Sequence, residues 1–165
     1  MAGEKSPVEW VLTPIRKYAQ FSGRAPRAEY WWYYLVLLIA YVAAIILDSK
    51  MGSRVFGPYG ILAVLLWLGL LIPTLAVGVR RMHDTNRTGW WILAPIIPYA
   101  IGVAMAGPAV LNPERLAEQG TAMMFLLLGL VLAIVVLVFT VLPGTAGANK
   151  YGPDPYGANA DPAAD

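Results

Sequence analysis

Residues 122–142 read AMMFLLLGLVLAIVVLVFTVL, an apolar run of twenty-one residues with no charge. At about 1.5 Å of rise per residue a helix of this length crosses roughly 30 Å of hydrocarbon, and the run lacks the strict alternation of a membrane barrel strand. Three further runs have the same character: 30–47 (YWWYYLVLLIAYVAAIIL), 60–79 (GILAVLLWLGLLIPTLAVGV) and 90–111 (WWILAPIIPYAIGVAMAGPAVL). Four such runs in a chain of 165 residues, of which 58% are hydrophobic and 13% charged, exceed what a soluble domain of this size can hide in a core. Only helices satisfy their own backbone in lipid, so the expected fold class is all-α, a polytopic membrane protein with four transmembrane helices.

The third run carries Pro95, Pro98 and Pro108 with Gly102 and Gly107, and is expected to be kinked or to dip into the bilayer and return. Ahead of the first span, Val8, Val11, Leu12, Ile15, Tyr18 and Ala19 recur at helical spacing. Ser6, Pro7 and Glu9 supply a cap, a first position and a capping-box acid, which predicts an interfacial amphipathic helix at the N-terminus. The chain divides into 1–29 as a cytoplasmic or interfacial segment, 30–142 as the membrane domain and 143–165 as a polar tail rich in glycine and proline. The first fifteen residues lack the pattern of a cleavable signal peptide, so the first span is expected to act as the insertion signal.

Lysine and arginine fall unevenly. Lys5, Arg16, Lys17, Arg24, Arg27, Arg80, Arg81, Arg87 and Lys150 lie on one predicted side and Lys50, Arg54 and Arg115 on the other, so both termini are expected to be cytoplasmic. That topology brings three polar stretches to one face: FSGRAPRAEYWW (21–32), RRMHDTNRTGWW (80–91) and NKYGPDPYG (149–157).

On a helix prolonged past the membrane, Arg80, His83, Asp84 and Arg87 share one stripe, with Asp84 in reach of Arg80 or Arg81 and of Arg87 as exposed pairs. Glu29 sits at the head of the first span and is expected to pair with Arg80, Arg81 or Arg87. Residues 30–34 with Trp90 and Trp91 are expected to form an interfacial aromatic belt, and Thr88 to cap the third helix. The candidate residues for binding a headgroup or a partner are Arg24, Arg27, Glu29, Arg80, Arg81, His83, Asp84, Arg87, Asn149 and Asp154, the arginines offering planar forks for bidentate phosphate contacts. The same arginines also suit a plainer role as topology determinants and snorkelling anchors.

Other functions find little support. His83 and Asp84 are neighbours that project in different directions, and there is no nucleophile elbow, zincin or phosphate-loop motif. One histidine and no cysteine make a weak metal set, so neither a catalytic residue, a metal nor a cofactor is expected. A net charge of +2 is no nucleic-acid signature. The spans hold no ionisable residue away from their edges, which argues against an ion-coupled transporter.

The three polar motifs, in this order, resemble the signature blocks of the YhaH-like family, small bacterial inner-membrane proteins of uncharacterised function. The resemblance covers about 10–155 and implies a multi-pass protein of the inner membrane. Gly23, Arg24, Arg27, Glu29 and Trp31 match the first block, Arg80, Arg81, His83, Asp84, Gly89 and Trp90 the second, and Asn149, Tyr151, Gly152, Asp154 and Pro155 the tail; no catalytic assignment comes with them. This chain departs from the pattern in having two hydrophobic segments, separated by NPERLAEQG, between the second block and the tail. The best functional expectation is an accessory or scaffold protein whose cytoplasmic cap binds anionic phospholipid headgroups or a membrane-protein partner, a further copy of the chain included. The rival is a small oligomeric transporter or lipid-translocating pore built around the proline-rich third segment.

Overall fold

The computed structural model describes residues 6–55 and 59–156. The readings of Lys5 and of the last residues of the tail fall outside them. Among the described residues six α-helices follow in order: α1 Pro7–Arg16, α2 Arg27–Lys50, α3 Ile61–Asp84, α4 Ile96–Ala106, α5 Pro113–Ala117 and α6 Gly120–Val141, with 3-10 turns at Gly89–Ile92 and Gly107–Leu111 flanking α4. α2, α3, the stretch Gly89–Leu111 and α6 are each long and apolar enough to cross a membrane.

The ends of the helices follow from capping chemistry. α1 opens on a complete capping box, in which Ser6 Oγ accepts the amide of Glu9 and Glu9 accepts the amide of Ser6. Its apolar stripe does not face the bundle. Val8 and Ile15 are exposed, while Thr13 and Pro14 are buried against the rest of the protein, so the helix turns its small residues inward and its greasy ones to lipid.

α3 starts on a device that the sequence did not signal. Its N-cap, Gly60, has no side chain, and Asp48 from the end of α2 supplies the missing acceptor by taking the amides of Leu62 (3.0 Å) and Ala63 (2.9 Å). Ser53 Oγ takes the amide of Ile61. A Cβ on Gly60 would overlap the Asp48 carboxylate, so glycine is required by the closeness of the two helices. Asp48→Ala is expected to cost about 1–2 kcal/mol, as loss of a cap does, and to lower the thermal midpoint of the detergent-solubilised protein by several degrees. Asn at this position should retain part of the loss.

The helices pack as two pairs. α2 lies along α3 with α1 beside them, and α4 lies along α6. Glycines bring the second pair close: Gly102 of α4 meets Leu126, and Gly129 of α6 meets Tyr99 and the carbonyl of Pro95. Thus the third span is a broken crossing, with a short central α-helix between two 3-10 turns, and Pro98 is buried at its helix pairing. α6 meets α2 and α3 only sparingly, with contacts at Thr140 and Val141. The join between the pairs is therefore concentrated at one end of the molecule, where all three motifs are found. Two crossings, α4 and α6, return the tail to the end that holds the 80–91 loop.

The aromatic belt is only partly realised. Trp31, Trp32 and Trp90 face outward, but Tyr30 and Tyr33 are buried in a core cluster with Ala25 and Val77. The Tyr33 and Thr74 hydroxyls hydrogen-bond at 2.9 Å, so Thr74 serves an inter-helix bond.

Candidate functional site

The site forms where the last turn of α3 is enclosed by the segment ahead of α2, the start of α2 and the tail. Arg80 and Arg81 are almost completely buried, at 1% and 0% exposure, and Arg24, Glu29 and Asp84 are buried with them. This corrects the expectation of exposed pairs and snorkelling arginines for these positions. Snorkelling needs a route to water, and here three chain segments close over the guanidinium groups.

The pairing is specific. Arg80 Nη1 donates to Glu29 Oε1 at 2.5 Å, joining α3 to α2. Asp84 is shared: Oδ1 accepts from Arg24 Nε at 3.0 Å, and Oδ2 accepts from Arg81 Nη1 one turn back. The remaining donors of Arg24 and Arg81 go to backbone carbonyls. Arg24 reaches Thr145 O at 2.6 Å and Gly147 O at 2.7 Å in the tail, and Arg81 reaches Ala25 O, Thr140 O and Leu142 O. Arg81 thereby ties the first motif to the end of α6, and Arg24 ties it to the tail. Arg80 has fewer partners: its Nε and Nη2 find none among the described residues. Three buried cations face two buried carboxylates, so the cluster holds a net charge of +1 that carbonyl dipoles must help to stabilise.

The predicted stripe of Arg80, His83, Asp84 and Arg87 breaks after Asp84, because α3 ends there and Asn86 takes φ +59°, reversing the chain. Asp84 accordingly pairs with Arg24 and Arg81, and neither Arg80 nor Arg87 is its partner. Arg87 lies over the ring of Phe139 at 3.9 Å and donates to the Thr85 carbonyl at 3.0 Å. Thr88 precedes the 3-10 turn but makes no side-chain cap. Turn and helix close in through Gly89, where a Cβ would overlap Val79.

His83 has a structural setting. Its Nδ1 lies 3.1 Å from the Gly23 carbonyl, which favours the Nδ1–H tautomer, and its ring stacks on Tyr151 at 3.9 Å with 5° between the planes. Asn149 Nδ2 donates to the carbonyl of His83 at 3.0 Å, while its Oδ1 accepts the amide of Tyr151. Asp154 lies at the edge of the cap, where it accepts the amides of Tyr156 (3.0 Å) and Gly147 (2.9 Å). The Tyr156 bond above all, with that from Gly147 and the charge of Arg24 adding to it, holds its carboxyl below the usual range against the opposing effect of desolvation. Among the described residues no three His, Asp or Glu side chains converge on a point where a metal would sit.

Thus Arg24, Glu29, Arg80, Arg81 and Asp84 come together in a sealed network, His83 and Asn149 hold the tail to it, and Asp154 shapes the tail from within. Arg27 stands apart. It is exposed on the first turn of α2, 3.4 Å from the Val141 carbonyl, at the mouth of an open groove of about 470 Å³ formed with Ala28, Trp31, Trp32, Leu35 and Val141. A second, smaller pocket of about 340 Å³ lies between Phe21, Leu75, Val79, His83 and Trp90. Sequence reasoning missed Thr140, Gly144 and Thr145. Thr140 is buried and its carbonyl takes both Trp31 Nε1 and Arg81, and Thr145 donates its amide and hydroxyl to the Asp84 carbonyl.

Compared with known proteins, residues 18–153 match the family described as protein of unknown function, DUF805. The chain is 32% identical to the inner membrane protein YhaH of Escherichia coli (strain K12) over 148 residues, 90% of this chain and 97% of that one. It is equally identical to the inner membrane protein YhaI of the same organism over 153 residues, 92% of this chain and 100% of that one. The uncharacterized protein YiiR of that strain is 28% identical over 134 residues, 81% of this chain and 84% of its own length. No solved structure matches the chain.

Proposed function

We propose, for a chain that belongs to the DUF805 family and is a multi-pass inner-membrane protein of YhaH-like kind, an accessory or scaffold role in which anionic phospholipid headgroups are held at a cytoplasmic cap. The observation that carries this reading is the groove at Arg27. An exposed guanidinium stands at its mouth, two tryptophans and Leu35 line its wall, and no carboxylate is among its lining residues. A phosphate would meet the planar fork of the arginine while the acyl chains follow the apolar wall toward the bilayer. Arg24, Arg80 and Arg81 serve differently in this reading: they are already engaged inside the protein, and hold α2, α3 and α6 so that the groove keeps its shape.

The rival, a pore around the proline-rich third span, has less behind it. Pro98 and Gly102 are buried, Gly102 against Leu126 of α6, which suits packing better than a conducting path.

Arg27→Ala is expected to reduce phosphatidylglycerol and cardiolipin retained through detergent purification severalfold, measured by lipid extraction and mass spectrometry, without lowering the thermal midpoint. Unchanged retention would sink the headgroup reading and leave a protein partner as the occupant of the cap.

A further inference from the structure

The segment between α1 and α2 places polar side chains at a depth where lipid offers them no partners. The Tyr18 hydroxyl donates to the carbonyl of Gly69 at 2.5 Å. Gly69 lies eleven residues before Arg80 on α3, which is about 16 Å along the helix axis, near the middle of a hydrocarbon layer of roughly 30 Å. From there the chain climbs beside α3: Phe21 lies with Leu75 and Val79, the Gly23 carbonyl meets His83, and the Ala25 amide donates to the Arg80 carbonyl. α1 ends at Arg16, two residues before Tyr18, so Arg16 lies close in the chain to the residue whose hydroxyl marks the deep level.

Arg16, Gln20 and Ser22 are all exposed on this ascending segment. The hydrocarbon cannot stop below them elsewhere on the molecule. Trp31, Leu35, Val36, Leu137, Val138 and Val141 are exposed and apolar up to the level of the cap, and would face water if the bilayer ended at Gly69. Apolar surface thus reaches the cap on the faces of α2 and α6, while one polar line descends to mid-depth beside α3. A charged or amide side chain exposed to acyl chains is costly, and the established ways to relieve it are water defects and local thinning of the bilayer.

We propose that residues 16–24 form a polar track that draws phospholipid headgroups, with their hydration, down from the cap end to the middle of the bilayer. Arg16 is the deep cation that a phosphate would meet, and Gln20 and Ser22 supply hydrogen bonds between it and the cap. The track goes beyond headgroup capture at Arg27 and does not depend on it. A lipid beside it begins a crossing with its headgroup already halfway.

The chain has no cysteine, so single labels are simple to place. A bimane dye on Gln20→Cys, and separately on Ala19→Cys, is read in phosphatidylcholine vesicles that carry a nitroxide quencher either on the headgroup or midway along the acyl chain. Leu38→Cys is the matched control, since it is exposed on α2 eleven residues from Arg27 and so lies at the same depth. The headgroup nitroxide is expected to quench the labels at 19 and 20 at least twofold more than the mid-chain nitroxide, and the order should reverse at 38. Labels at 19 and 20 that follow Leu38 in preferring the mid-chain quencher would overturn the proposal. So would stronger headgroup quenching at all three positions, because the whole level would then be interfacial.

Discussion

Asp84→Asn is expected to destabilise the protein by about 3–5 kcal/mol, the cost of removing one partner from a buried ion pair, a large share of what a domain of this size has. The carboxylate is 2% exposed and serves Arg24 and Arg81 together, so its neutralisation leaves two guanidinium groups without their countercharge in a region closed to water. Arg24 would lose its hold beside the tail, and Arg81 its place between Ala25 and the end of α6. The expected result is little or no monodisperse protein by size-exclusion chromatography in mild detergent, and a lower thermal midpoint for whatever survives. Asp154→Asn is the control. It lies in the same set of motifs but at the edge of the cap, bound to two amides, and its replacement should stay within about 0.5 kcal/mol. Equal behaviour of the two variants would show that Asp84 is no keystone. Gly144→Ala should resemble Asp84→Asn, because its added methyl would overlap the Asp84 carboxylate.

How much of this was legible in the sequence depended on whether a signal was local. Four apolar runs and a capping box are periodic or adjacent features, and the fold class and α1 followed from them. Glu29 was readable as a partner of an arginine because a carboxylate at the head of a membrane helix needs one, and the structure supplies Arg80. Of the two partners of Asp84, Arg81 was readable one turn back on the same helix, but Arg24 was not. Helical spacing suggested neighbours within its own segment, whereas Arg24 lies sixty residues away and reaches it only because the chain climbs beside α3. The carbonyls of Thr140, Leu142, Thr145 and Gly147 had no side-chain signature at all, since any residue offers the same acceptor. Asp48 was hidden for a related reason: a cap supplied from another helix has no fixed spacing from the helix that it caps. The split of the aromatic belt is a matter of rotation about α2, which an apolar run with little amphipathic contrast does not encode.

A double-mutant cycle on Glu29 and Arg80 gives the second large effect. Arg80 is buried with Nε and Nη2 unpartnered among the described residues, and Glu29 is the charged group that it touches. Glu29→Gln therefore strands a buried cation, and Arg80→Met takes from the buried Glu29 carboxylate the cation that it pairs with. Each is expected to cost about 3–5 kcal/mol by the same reasoning as for Asp84. Combining Glu29→Gln with Arg80→Met removes both charges and keeps most of the volume, so the double variant should cost less than either single change, which requires a coupling larger than one single loss, about 3–5 kcal/mol. The unfolding of purified protein in mixed micelles on titration with a denaturing detergent supplies all four corners. Strict additivity would mean that the two groups do not depend on each other, and that Arg80 draws its stabilisation from carbonyl dipoles at the end of α3. Recovery in the double variant would carry a further consequence. The ion pair would then be replaceable as a source of stability, and the lipid retention of that variant would separate its effect on folding from any effect on the Arg27 groove two residues before Glu29 on α2.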